Sequence, residues 1–527
     1  MSRVPGTGRP RADTGTGQPA GERRPARDRQ AARSPWSPER AGRAGLTASA
    51  LSVALTLTAA VLGPSLVEPA LPGRPGTPPW FAAAHPSPDL VVALTAAAVA
   101  AGAAGLGLTI RASRRGWAVS PWLLVAAGLV AAIALALVPP FGSGDHLSYA
   151  AYGRMAATGH DPYTTTPAQL ARLGDPIARA VGQWRDSPSV YGAIATGGQA
   201  LSSLVGGTSV RLTVFVISLQ NVVAFGLAGL LLHFQARGDR RRQFRAALLW
   251  TANPLLLQIL VAGAHVDSQA IVFVVAALAA FGWAVGAGRG PGREGEPGSA
   301  SGPRPAPVAR LAAGAVAAGA LVGLGFAVKI TMALAGAGLA LACLLAWRES
   351  CRKPSAGGSA GTPATATSRD WREPVVALAG LAAGFAVTAG ASLAVWGLHS
   401  LSPAAAAGSQ VSIGSPWRVV RSLVRLAGLS EAAAEDTVKF AAVALGVALL
   451  ILMLAAIMRT ARRSRTAPAA EGAPAAGDVP AAGAADSAAR AAAAGGRQAR
   501  ARAGAQKAIF AADGRIGANR CLNGVSP

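Results

Sequence analysis

A carboxylate and several aromatic rings occur together in residues 141–163, which read FGSGDHLSYAAYGRMAATGHDPY. Asp145 follows Gly142 and Gly144, whose backbone freedom allows a tight turn. A carboxylate held in such a turn can act as a general base. Rings that combine an apolar face with a hydrogen-bonding group suit sugar recognition, and all four tyrosines of the chain fall between residues 141 and 209. The candidate substrate contacts in this segment are His146, Tyr149, Tyr163 and Tyr191.

The tyrosines also have a simpler interpretation. Tyrosine is enriched at membrane–water interfaces, where the ring lies among the headgroups. Such a belt would place tyrosines in many connections on both sides of the membrane, whereas here a single segment holds all of them. This concentration favours a binding site over a belt.

Ionisable residues also stand at two turns between apolar runs. His265 and Asp267 lie in NPLLLQILVAGAHVDSQA, residues 253–270, and Lys329 lies in GFAVKITMALAG. An ionisable residue at membrane depth is a candidate functional residue. For His265 and Asp267 a water-exposed polar turn remains an equal alternative, whereas a lone lysine between apolar runs favours a bound anion.

A basic amphipathic helix is predicted over residues 415–429, SPWRVVRSLVRLAGL. Ser415 suits a helix N-cap and Pro416 suits the first turn. Arg418, Arg421 and Arg425 then share one stripe of the helix, as in helices that lie in the membrane interface. Arg418 is a candidate contact for a lipid phosphate, and general attraction to anionic headgroups explains the stripe equally well.

The elements that must position these residues are membrane spans. The chain is 51% hydrophobic and only 14% charged, which indicates an integral membrane protein. Its net charge of +25 does not indicate nucleic-acid binding, because the arginines gather in short stretches between apolar runs and in the tails. The three cysteines form neither a disulfide framework nor a metal-ligand pattern, and we expect no metal and no cofactor.

The hydropathy pattern predicts an all-α, polytopic bundle of about ten transmembrane helices, each of about 20 apolar residues. We expect Asn253-Pro254 to kink the fifth span. The predicted spans are 45–66, 90–110, 119–140, 210–232, 246–264, 267–287, 308–328, 330–347, 375–397 and 438–458.

Arginine clusters follow every second span and predict the orientation of the chain. By the positive-inside rule these connections, and both termini, are cytoplasmic. The candidate residues therefore fall on the extracytoplasmic side, mainly in a large outer loop, 141–209. The predicted organisation is a disordered Arg-rich tail over 1–43, a membrane domain over 44–458 and a disordered Ala/Pro/Arg-rich tail over 459–527.

The motif D-x-x-x-Y-x-x-x-G-x-x-x-x-x-G-x-x-P-Y, starting at Asp145, resembles the polyprenol-phosphomannose-dependent alpha-1,6-mannosyltransferases of actinobacteria, which belong to the membrane-embedded GT-C glycosyltransferases. The blocks around Asn253-Pro254 and Lys329, and the SPSVYG segment at residues 187–192, extend the resemblance over roughly residues 120–430.

The resemblance implies a mannose-type sugar moved from a polyprenyl-phosphate donor to a mannan, lipomannan or glycolipid acceptor in the cell envelope. It implies that Asp145 is the general base of an inverting transfer. Lys329 and Arg418 would then neutralise the departing phosphate.

Two other functions remain open from the sequence. A transporter or flippase of lipid-linked envelope precursors could use the same outer cations and kinked helix, but it should show polar residues near the membrane midplane. Gln220 and Asn221 are the main examples. A degenerate paralogue with a structural role is the third interpretation.

Overall fold

The structure, a computed structural model, describes residues 37–286, 308–352, 372–407 and 416–466. In these ranges the chain is helical and contains no strand, which confirms the predicted all-α bundle. Most of both predicted tails lies outside the described residues. The first helix begins at Pro38, inside the predicted N-terminal tail, and the last continues to Thr466, inside the predicted C-terminal tail.

The chain divides into two compact units, Met1–Gln410 and Val411–Pro527. The second unit holds α16 (Pro416–Leu426) and α17 (Glu431–Thr466). The helices of the first unit are α1 (Pro38–Leu62), α2 (Pro88–Arg114), α3 (Pro121–Ala136), α4 (Asp145–Ala157), α5 (Pro167–Arg172), α6 (Pro176–Arg179), α7 (Ala193–Gly206), α8 (Val210–Gln235), α9 (Arg240–Leu249), α10 (Pro254–Leu256), α11 (Asp267–Gly286), α12 (Val308–Val328), α13 (Ala333–Arg352), α14 (Arg372–Trp396) and α15 (Ser402–Ala407).

Nine helical stretches among the described residues are long and apolar enough to cross a membrane. The predicted span 119–140 differs, because it forms only the 16-residue α3. At 1.5 Å per residue this helix is about 24 Å long, less than the hydrocarbon thickness. Pro139 and Pro140 follow two residues after its C-cap, and proline cannot continue a helix.

Small residues bring the spans of the first unit together. Ser52 of α1 donates its hydroxyl to the carbonyl of Ala98 in α2 (2.7 Å), and Thr388 of α14 donates to the carbonyl of Ala320 in α12 (3.0 Å). A Cβ on Gly319 would collide with the backbone of Leu381 across the second of these interfaces. Such close approach is typical of helix packing in membranes. Lipid provides no hydrophobic driving force between helices, so the close packing that small residues allow stabilises the contact.

The predicted outer loop is built from short helices, α4 to α7. Most of α4 is buried, including Leu147 and Met155, and Gly153 lies against the backbone of Gln199 in α7 so closely that a Cβ would collide with it. At the end of α4, Gly159 adopts a positive φ of 78°. The glycines of the motif are therefore explained by packing and by the turn that ends the helix.

The predicted kink at Asn253-Pro254 is confirmed. Helix α9 ends at Leu249, and Asn253 caps a new helical turn by accepting the backbone N–H groups of Leu255 and Leu256 (3.1 and 3.4 Å). The chain continues as a π-helical turn, Leu257–Ala262. Such turns recur at functional sites, and this one leads directly to the turn that carries the polar residues.

Candidate active site

Asp145 is the first residue of α4, and two side chains hold its carboxylate. The indole N–H of Trp184 donates to Oδ1 (3.0 Å), and Nδ1 of His265 lies 3.5 Å from Oδ2. The Asp145 side chain remains 26% exposed. Each oxygen can still accept a further hydrogen bond, so the group is oriented by the protein and accessible to a ligand.

The approach of His265 depends on the kinked span. Residues 263–266 turn the chain back towards α11, and Ala264, fully buried, has a φ of +50°. A left-handed conformation is uncommon for a residue other than glycine and persists only where the surroundings enforce it. The π-helical turn and this strained residue together place His265 beside Asp145.

Lys329 is paired with Asp267 across the site. Its ammonium group donates to Oδ1 of Asp267 (2.7 Å), and the two side chains are 31% and 29% exposed. Asp267 begins α11, and Lys329 precedes a 3₁₀ turn, Ile330–Met332. Lys329 is therefore not a lone cation, as its surroundings in the sequence had suggested, although both side chains of the pair remain partly exposed.

The turn before α11, the turn at Lys329 and α4 converge on one apolar cluster. Leu147 and Tyr149 of α4, Val266 before α11 and Val328 before Lys329 are all buried in it. Leu147, Val266 and Val328 each lie within two positions of an ionisable group named above, and Tyr149 lies about one helical turn after Asp145. The packing thus brings the Asp145–His265 pair and the Asp267–Lys329 pair to the same region of the first unit.

Tyr149 and Tyr191 lie near the carboxylates of both pairs. The Tyr191 hydroxyl donates to that of Tyr149 (3.4 Å), and the rings meet edge to face at 5.1 Å. Burial raises the pKa of both phenols, and the negative charges of Asp145 and Asp267 raise it further. Both hydroxyls are therefore protonated donors at neutral pH, within the electrostatic reach of both carboxylates.

Two further predicted substrate contacts, His146 and Tyr163, are buried. His146 is completely buried, and burial lowers its pKa to about 3, so the ring is neutral and a bound sugar would not reach it without movement of α4. Tyr163 donates its hydroxyl to the carbonyl of Tyr191 (2.7 Å), and its buried ring packs edge to face on Trp396. Tyr163 therefore stabilises the backbone at Tyr191.

Arg418 lies on α16, in the second compact unit. Within that unit its neighbours on the stripe, Arg421 and Arg425, pair with Glu431 (3.2 and 3.6 Å). The predicted helix is present from Pro416, and Ser415 lies outside the described residues. A phosphate contact by Arg418 stays a prediction.

Sequence reasoning did not predict Trp184 or the contact between Asp161 and His399. Trp184 was not predicted as a site residue, because it belongs to none of the motifs. Asp161 and His399 form a 2.8 Å contact that ties the end of α4 to the turn Leu398–Leu401; His399 follows α14, more than 200 residues from Asp161 in the sequence. Among the described residues no group of three or more His, Cys, Asp or Glu side chains is placed to hold a metal ion.

Gly192 fixes the SPSVYG segment against the lysine turn. Its backbone N–H donates to the carbonyl of Val328 (3.1 Å), and a Cβ at this position would collide with the carbonyl of Ala327. This close contact sets Tyr191 and Lys329 side by side. The glycine of the motif is thus required by backbone approach.

Replacing Gly192 with Ala is expected to lower the free energy of unfolding by about 1–3 kcal/mol, because the carbonyl of Ala327 must move. Thermal unfolding in detergent measures the change. Gly182→Ala in the same connection is the matched control, since a Cβ there meets nothing within 4 Å. Equal stability of the two variants would contradict the packing argument.

Comparison with known proteins adds a family. The profile described as "Alpha-(1->6)-mannopyranosyltransferase, N-terminal domain" matches residues 42–345, which contain every candidate residue except Arg418. The chain is 33% identical over 146 residues to alpha-(1->6)-mannopyranosyltransferase B of Corynebacterium glutamicum, 33% over 135 residues to an alpha-(1->6)-mannopyranosyltransferase of Mycobacterium tuberculosis, and 33% over 149 residues to a probable one of Mycolicibacterium smegmatis.

These alignments cover 27%, 25% and 27% of the chain, and 24%, 22% and 26% of the respective relatives. The chain thus spans about a quarter of the length of the curated relatives it matches. No solved structure is similar to it.

Proposed function

Because the chain belongs to the alpha-(1->6)-mannopyranosyltransferase family, we propose that it transfers mannose from a polyprenyl-phosphate donor to a hydroxyl of a mannan, lipomannan or glycolipid acceptor. The observation that carries the proposal is the convergence of an oriented carboxylate, a cation and two phenols in one region. This set supplies a base for the acceptor, a counter-charge for the leaving phosphate and, at the partly buried Tyr191, a phenol hydroxyl for a sugar; the buried Tyr149 hydroxyl holds Tyr191 in place.

The proposed reaction is a single displacement. Asp145 takes the proton of the acceptor hydroxyl as that oxygen attacks the anomeric carbon. The bond from the anomeric carbon to the phosphate oxygen breaks on the opposite face, so that the configuration inverts and a polyprenyl phosphate leaves. Lys329 exchanges part of its contact with Asp267 for the phosphate and stabilises its charge.

The transfer assay uses purified protein reconstituted into liposomes. Polyprenyl-phosphate mannose is the donor and an alpha-1,6-linked mannobiose is the acceptor, with mass spectrometry of the product. We expect a trisaccharide that depends on donor, acceptor and native protein. A folded protein that extends no acceptor from this donor would contradict the proposal.

The structure does not favour the transporter alternative. The side-chain amide of Gln220 donates to the carbonyl of Gly198 and to the hydroxyl of Ser202 (both 3.0 Å), and Gln269 donates to Asn221 (2.9 Å). These midspan amides therefore join helices α7, α8 and α11. They are engaged in packing, and none of these bonds suggests a polar path through the bundle.

We further propose that the site faces the extracytoplasmic side and that both termini are cytoplasmic. The support is the arginine distribution: Arg240, Arg241 and Arg242 begin α9 on one side, whereas the segment from 141 to 209 leads from α3 to α8 on the other.

Cysteine labelling tests this orientation. In a variant with Cys343, Cys351 and Cys521 replaced by Ser, a membrane-impermeant maleimide is expected to label Thr164→Cys in intact cells. Arg240→Cys should react only after permeabilisation. The reverse pattern would contradict the orientation, and labelling of both after permeabilisation is the control for accessibility.

A further inference from the structure

Trp184 is held in a strained conformation next to the candidate base. Its φ is +59°, in the left-handed region that bulky residues avoid. Conformations of this kind cost about 1–3 kcal/mol and cluster at functional sites, where the surrounding structure over-determines them.

Hydrogen bonds on both sides of Trp184 enforce this conformation. Before it, the carbonyl of Gln183 accepts the hydroxyl of Ser148 in α4 (3.3 Å). After it, the carbonyl of Arg185 accepts the backbone N–H of Ala168 (2.8 Å), and the carbonyl of Ser187 accepts the Tyr152 hydroxyl (3.0 Å). The connection is therefore fixed to α4 and α5 on either side of the indole.

The N–H group and the ring of the Trp184 indole have different surroundings. The N–H donates to Oδ1 of Asp145 (3.0 Å). Trp184 as a whole stays 39% exposed, although an indole of this size gains by burial. An exposed aromatic face fixed beside a catalytic carboxylate is a surface on which the apolar face of a pyranose can stack.

We propose that Trp184 orients the Asp145 carboxylate and forms the stacking platform for the acceptor sugar. The inference rests on the proposed function and deepens it, since it assigns the acceptor, not the donor, to the side of Asp145 where the indole lies. Stacking would bring the nucleophilic hydroxyl to the free lone pairs of the carboxylate. Lys329 and Tyr191 remain for the donor.

Two substitutions separate the roles of the indole. Trp184→Phe keeps a ring and removes the N–H; we expect kcat to fall about tenfold, with the acceptor KM within about twofold of the native value. Trp184→Ala removes both, so the acceptor KM should also rise about tenfold. The donor KM should stay unchanged in both. Loss of folded protein alone lowers kcat and leaves both KM values unchanged, so it would not produce the raised acceptor KM of Trp184→Ala.

Trp80→Phe is the matched control. Trp80 is also an exposed tryptophan of the first unit, and its indole N–H donates to a carbonyl, that of Gly76 (3.2 Å). Its kinetic constants are expected to equal those of the native protein. Native kcat and acceptor KM in Trp184→Ala would overturn the inference.

A binding measurement distinguishes failure of this inference from failure of the proposed function. Saturation-transfer NMR with alpha-1,6-linked mannobiose alone needs neither donor nor turnover. We expect a signal from the native protein and from Trp80→Phe, and a signal reduced at least severalfold in Trp184→Ala. Equal signals from native protein and Trp184→Ala, or none from the native protein, would overturn the platform even if mannose is transferred. If transfer fails while the binding difference is present, the platform stands and the proposed reaction falls.

Discussion

Asp145→Asn is expected to lower kcat for mannosyl transfer by about a thousandfold without unfolding the protein. General-base catalysis contributes about 10²–10⁴ to the rate, and a carboxamide does not take up the proton. The substitution changes little else. The amide oxygen can still accept the indole N–H of Trp184, which in the native protein donates to Oδ1 at 3.0 Å, and the side chain keeps its size.

The comparison needs a matched variant and a measure of folding. Asp186→Asn is the same chemical change two residues after Trp184, at an exposed position, and it should leave kcat within about twofold of the native value. Both variants should unfold at the native temperature in detergent. Transfer by Asp145→Asn within about tenfold of the native rate would remove Asp145 as the base and leave an orienting role.

The membrane fold was predictable because its signals are local. A run of apolar residues specifies a span whatever its neighbours are, since the backbone must satisfy its own hydrogen bonds in lipid. The kink at Asn253-Pro254 was predictable for the same reason. The length of α3 was misjudged because hydropathy does not register Pro139-Pro140, which ends the helix before the apolar run ends.

The membership of the candidate site was only partly predictable. Asp145, His265, Asp267 and Lys329 stood out as ionisable residues at turns, but their pairing depends on which turns meet in space. The sequence could not show that Lys329 binds Asp267 while His265 approaches Asp145. Which residues pair is determined by the packing of the buried valines and tyrosines around them.

Trp184 illustrates what composition and motif cannot indicate. Glycine and asparagine are the residues that usually adopt a left-handed backbone conformation, and a tryptophan in a sequence does not predict one. The conformation arises from hydrogen bonds made by the residues around it, to Ser148, Ala168 and Tyr152. Similarly, the buried position of His146 follows from packing on every side of α4, which its mixed sequence does not predict.

The Lys329–Asp267 pair provides the second large expected effect. Lys329→Gln should lower kcat about a hundredfold, because removal of one group that stabilises a developing negative charge costs about 10²–10³. Lys329→Arg should retain most of the activity, since it keeps the charge and offers more donors to a phosphate. The transfer assay with polyprenyl-phosphate mannose measures both.

A purely structural role for Lys329 predicts a different pattern. The paired side chains are about 30% exposed, and an ion pair this exposed contributes about 1 kcal/mol or less to stability. Loss of that amount leaves nearly all of the protein folded. Unfolding therefore cannot account for a hundredfold loss of activity, and a lysine that served Asp267 alone would give Lys329→Gln and Asp267→Asn the same small defect.

The double variant decides between the two roles. If Lys329 binds the donor phosphate, Asp267→Asn releases the ammonium group from its partner, so this variant should lose less activity than Lys329→Gln. The double variant, Lys329→Gln with Asp267→Asn, has no unpaired charge at this position, so it should regain the native unfolding temperature. Its transfer activity should stay as low as that of Lys329→Gln alone. Recovery of transfer together with stability would show that the lysine acts through the carboxylate, and the leaving phosphate would then need another cation.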